Sequence, residues 1–112
     1  MSDNKKSEKP LENPDVFVNV TPKDARNPEH RKVADKVGRT LKENVKKAIA
    51  DNKPGGAEKQ LEAVGAETKK AGQGTSQQEI DKIRVRVSDK DKDGDTAERV
   101  WSVTPKEGKP TP

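Results

Sequence analysis

Val33, Val37, Leu41, Val45 and Ile49 recur four residues apart, and nearly everything between them is charged or polar. At about 100° per residue this spacing draws one apolar flank on a helix, with Ala34 and Ala48 inside it. The ends of the helix are also written. Asn27 suits the N-cap, Pro28 the first helical position, and Glu29 the positive end of the dipole. Asp51-Asn52-Lys53 followed by Pro54-Gly55-Gly56 is a stop signal. The pattern predicts a helix over 28–51, about 36 Å long. Asp35–Arg39 and Glu43–Lys47 stand in the favourable i,i+4 order on it.

Three shorter runs carry the period of a strand. In 15–20 (DVFVNV), Val16, Val18 and Val20 share one face, Phe17 takes the other, and Thr21-Pro22 ends the run. In 82–88 (KIRVRVS), Ile83, Val85 and Val87 oppose Lys82, Arg84 and Arg86. In 97–104 (AERVWSVT), Trp101 and Val103 share a face. The last two runs flank the polar turn Asp89–Asp95 and predict a hairpin over 82–104. A weaker helix is predicted over 57–71, where Leu61, Val64 and Ala71 make a thin stripe interrupted by Gly65. Ser76–Glu79 fits a capping box. Val20-Thr21-Pro22-Lys23-Asp24 is echoed by Val103-Thr104-Pro105-Lys106-Glu107, and Thr-Pro as a common strand terminator explains the match better than a repeat does.

These elements predict one small α+β domain over 15–104. A three-stranded antiparallel or mixed sheet would be covered by one long amphipathic helix, with 1–14 and 105–112 as disordered tails. The helix stripe would meet Val16, Val18, Val20, Ile83, Val85, Val87 and Trp101.

Composition narrows the classes. Hydrophobic residues are 26% of the 112 and charged residues 39%, so apolar material for a core is scarce. Lys and Arg number 24 against 20 Asp and Glu, so self-repulsion is weak. There is no cysteine, which removes disulfides, thiolate catalysis and iron–sulfur clusters. The first residues carry no apolar h-region and no run is long enough to span a membrane, so a soluble cytoplasmic protein is expected.

The charge is concentrated. Residues 23–53 carry ten Lys or Arg against five Asp or Glu. Lys32, Lys36, Arg39, Lys46 and Lys47 fall on the flank opposite the aliphatic stripe. A basic face of this kind contacts nucleic-acid phosphate, an anionic membrane or an acidic protein. The apolar face lacks the aromatic anchors of a membrane-surface helix. No recognised nucleic-acid motif accompanies the basic face. Arg84 and Arg86, with Lys82 and neighbouring Arg99, would add a second patch on the exposed sheet face. A solvated, ion-paired surface is the plainer reading of both sets.

Other chemistry is faint. Asp89, Asp91, Asp93 and Gly94 occupy positions 1, 3, 5 and 6 of an EF-hand loop. The bidentate Glu of position 12 is replaced by Val100, so calcium is not expected and no metal site or cofactor is assigned. His30 is the only histidine and has no nucleophile pattern beside it. Gly72-Gln73-Gly74 begins like a dinucleotide fingerprint but lacks the third glycine and a preceding strand.

The expectation is a non-enzymatic interaction protein that engages an acidic partner, either nucleic acid or an acidic protein surface, through Lys32, Lys36, Arg39, Lys46, Lys47, Arg84 and Arg86. In Gly and charge content alone the chain resembles the hydrophilic stress proteins called hydrophilins. That resemblance implies a largely disordered, solvating role and covers no motif. A third alternative is a subunit that folds fully only with a protein partner, or by self-association.

Overall fold

The computed structural model describes residues 10–12, 14–75, 78–90 and 96–105. Its order is β1 (Asp15–Pro22), α1 (Pro28–Asp51), a 3-10 turn (Lys53–Gly55), α2 (Gly56–Gln73), β2 (Ile80–Lys90) and β3 (Thr96–Val103). The fold is α+β, with a three-stranded antiparallel sheet ordered β1-β2-β3. Two helices cover it: the long one expected there and, beside it, the weaker one predicted over 57–71.

α1 starts and stops where its signals stand. The Asn27 side chain accepts from the Glu29 N–H at 2.9 Å. At the other end the Asn52 backbone and side-chain N–H groups both donate to the Ala48 carbonyl, at 3.1 and 2.8 Å. The turn then reverses the chain through Gly56, whose φ of 90° lies in the region only glycine adopts freely. Of the two expected i,i+4 pairs, Arg39–Asp35 forms at 2.8 Å, whereas Glu43–Lys47 does not come within ion-pair distance.

The sheet register sorts the side chains as their alternation requires. Val18, Val85 and Trp101 are direct neighbours across the strands, as are Val20, Ile83 and Val103. With Val16 and Val87 they form the face under the helices. Val45, Val64, Ile80, Ile83 and Val85 are fully buried, and Leu41 and Val87 nearly so. Val33 and Val37, at the start of the helix stripe, are only partly buried against this core. β2 begins earlier than its alternation suggests, because a register shift between Thr21 and Pro22 brings Ile80 opposite Pro22 and into the core.

α2 is the element that hydropathy undervalues. It is three residues longer than the predicted 57–71, and apart from Val64 its buried face is built from polar and small residues. Gln60 is buried and bonded at both ends of its amide: its Nε2 donates to the Ile49 carbonyl at 2.9 Å, and its Oε1 accepts from the Leu11 N–H at 2.8 Å. Thr68, also buried, donates to the Val64 carbonyl of its own helix. Gly65 lies under the Trp101 indole, so close that a Cβ there would stand 2.9 Å from Nε1.

The expected lead-in of 1–14 also contributes to the core. Leu11 is buried, and the Glu12 N–H donates to the Asp89 carboxylate at 3.3 Å. The Ser76-Gln77 half of the capping box, the turn residues 91–95 and the Lys106-Glu107 end of the echo lie outside the described residues.

Two glycines on the helices give opposite predictions. A Cβ at Gly38 would meet Val20 Cγ2 at 3.5 Å, an ordinary contact. Gly38→Ala should therefore stabilise the chain by about 0.5–1 kcal/mol in urea melts, through helix propensity. At Gly65 overpacking of roughly 1–3 kcal/mol outweighs that gain. Gly65→Ala should lower stability by about 1 kcal/mol and shift the Trp101 fluorescence.

Candidate basic interface

The helix layer and the open sheet face are the two sides on which cations collect. α1 turns its aliphatic stripe inward, so the intervening polar positions must face solvent. Lys32, Lys36, Arg39, Lys46 and Lys47 are all exposed, as the pattern requires. They do not form one uniform patch. Lys36 borders a groove of about 310 Å³ between α1 and α2, beside Glu67 and Lys70. Arg39 borders a groove on the opposite seam, between α1 and β1, and Lys46 borders a second groove where the end of α1 meets the Leu11–Pro14 segment and Val16. Arg39 is already paired with Asp35, and both are well exposed, so that pair contributes little to stability.

Arg31 and Lys42 also line the α1–β1 seam, and Lys53 lines the groove beyond the end of α1; all three belong to this basic flank. Sequence reasoning passed over them because Arg31 and Lys42 lie near the border of the polar arc, and Lys53 follows the helix. Their meaning depends on β1 lying alongside, which the helical period does not encode. Among the described residues no carboxylate lies within ion-pair distance of Arg31, Lys42, Lys46 or Lys53.

Arg84 and Arg86 sit apart from these, on the sheet face turned away from the helices. Both are exposed. Arg84 lies between Asn19 and Ser102, and Arg86 between Phe17 and Val100. The Arg86 guanidinium stands over the Phe17 ring at 4.7 Å, and its Nε lies 3.6 Å from Glu98. Phe17 is 48% exposed and Val100 43%, so this row is the apolar spot on an otherwise polar face. Arg99, expected beside it, is on the other face: it pairs with Val87 and reaches Glu58 on α2 at 3.9 Å. The alternation of β3 puts Arg99 in phase with Trp101, two residues on.

The remaining candidates have local structural uses. His30 Nδ1 accepts from the Asp24 N–H at 3.2 Å and helps shape the turn before α1. Asp89 is buried and holds the Glu12 backbone, while 91–95 of the acidic turn lie outside the described residues. Among the described residues no group of three or more His, Cys, Asp or Glu is placed to hold a metal ion. No helix among them is long and apolar enough to cross a membrane.

No protein-family model, curated protein or solved structure matches the chain.

The Phe17–Arg86 stack is testable by itself. A double-mutant cycle of Phe17→Leu with Arg86→Gln should return a coupling of about 0.5–1 kcal/mol in urea melts. A coupling near zero would mean that the ring and the guanidinium are independent.

Proposed function

We propose that this chain is a non-enzymatic interaction protein whose basic α1 face engages an acidic protein surface. One observation carries this reading. The aliphatic stripe of α1 packs against the chain's own sheet, while the cations between its positions stand in solvent and, Arg39 excepted, have no carboxylate partner among the described residues. Complementary charge steers association and sets specificity at interfaces of this kind. It supports a partner that presents carboxylates along a helix length rather than at a point.

A nucleic-acid reading is favoured by a different observation, the exposed Phe17 beside Arg84 and Arg86 on the open sheet. Base stacking on an aromatic within a cationic surface is the usual chemistry of single-strand binders. Only one ring is offered, and Arg86 already covers it.

The two readings separate by site. The full chain is titrated with polyglutamate and with a single-stranded oligonucleotide, at low and moderate salt. The acidic-protein reading expects salt-sensitive polyglutamate binding. Replacing Lys32, Lys36, Lys46 and Lys47 together by Glu should weaken it at least about tenfold, whereas Arg84→Gln should leave it unchanged. Oligonucleotide binding that depends on Phe17 and Arg84 would move the function to the sheet. Absence of polyglutamate binding at low salt would overturn the proposal.

A further inference from the structure

We infer that the seam between α1 and the free edge of β1 is a docking groove for an extended acidic segment of a partner protein, which adds to the sheet as a strand beside β1. The inference rests on the acidic-partner reading and says how the partner is held.

The sheet order leaves β1 at an edge. Alternate residues of an edge strand point unpaired N–H and C=O groups outward, a template for another strand. Edges are normally blunted by charge, proline or a bulge. Between Val16 and Val20 β1 has no charged residue and no proline, and its register shift comes only at its end, at Thr21 and Pro22. β3, the other edge, carries Glu98 and Arg99.

The space beside that edge is shaped for a chain. A groove of about 470 Å³ lies along the seam beside Val18–Val20. A second, of about 340 Å³, continues it past the end of α1, where Val16 is the one β1 residue and Leu11, Glu12, Pro14 and Gln60 form the rest of the wall facing α1 and Lys53. Gly38 lines the first of them, and its missing side chain keeps the wall low opposite Val20. The cations Arg31, Arg39 and Lys42 border the first groove, and Lys46 and Lys53 the second. The carboxylates there are Asp35, held by Arg39, and Glu12. Arg31 to Lys46 spans roughly 22 Å at the helical rise. Four alternate side chains of an added strand span roughly 20 Å, so carboxylates at every second position would follow the cationic row.

Charge also excludes a second copy of this chain as the occupant. Two β1 edges paired around a twofold axis would set the Arg31–Lys46 flank of one α1 against the same flank of the other. Like charges would then meet along the whole contact, where an acidic segment neutralises them. A nucleic-acid strand satisfies the cations but cannot complete a backbone ladder.

The test uses the isotope-labelled full chain and an end-blocked peptide of alternating Val and Glu, about ten residues long. Two further peptides are N-methylated at one or the other alternate set of backbone nitrogens. The expected result is chemical-shift change along β1 and the Arg31–Lys46 flank, with slowed amide exchange in β1. One methylated peptide should bind at least about tenfold more weakly and the other should bind normally, because only one set of N–H groups faces β1. Lys42→Glu with Lys46→Glu should also weaken the parent peptide at least about tenfold.

Equal binding by both methylated peptides, with shifts confined to α1, would overturn strand addition and leave the basic-helix reading standing. Failure of the peptides and of polyglutamate alike would overturn both. Concentration-dependent dimerisation that protects β1 without peptide would give the edge to a second copy and overturn the inference. So would equal β1 protection by an oligonucleotide.

Discussion

Ile83, Val85 and Val87 project from the central strand onto one face of the sheet, and all three are buried beneath the helices. Every other element is placed by that face. β1 and β3 extend it with Val16, Val18 and Val20 on one side and Trp101 and Val103 on the other. α1 closes it with Leu41, Val45 and Ile49. Each buried aliphatic side chain contributes on the order of 1.5–3 kcal/mol. A chain with 26% hydrophobic residues has enough of them for one such face. The opposite face therefore remains open, with Lys82, Arg84 and Arg86 along its centre.

Scarcity of apolar residues also explains the unusual make-up of α2. Its contact with the rest of the fold is made by approach and hydrogen bonding as much as by aliphatic bulk. Gly65 lets the Trp101 indole lie on the helix backbone, and Gly72 does the same for Val103. Gln60 joins the end of α1 to the Leu11 segment through one buried amide. Among the described residues no buried side-chain nitrogen or oxygen lacks a partner, so these polar residues stay inside without the cost of an unmade bond.

The same arrangement shapes the surface. Because α1 spends its aliphatic stripe on the sheet, its cations are what it presents outward. Because β1 pairs with β2 alone among the described strands, its other edge runs along the basic flank of the helix that follows it. On the open sheet face Arg86 is engaged locally, by Phe17 and Glu98. The α1–β1 seam sets an edge strand beside cations that, Arg39 excepted, have no carboxylate partner among the described residues.

Local pattern alone determined the α+β class, the bounds of α1 and the side of each strand that would be buried. Those depend on the 3.6-residue and two-residue periods and on caps such as Asn27, all properties of neighbours in the chain. The cations Lys32, Lys36, Arg39, Lys46 and Lys47 were legible as exposed for the same reason. Tertiary structure decided the rest. Gln60, Thr68 and Gly65 are unremarkable until a second helix, Leu11 and Trp101 arrive beside them. Arg84 and Arg86 part company with the helix cations because a sheet stands between them. Arg31 and Lys42 acquire a groove only when the edge of β1 is laid next to them. Spacing along a chain fixes what a residue's own element does with it, but which distant element lies alongside depends on pairing and packing that no local period records.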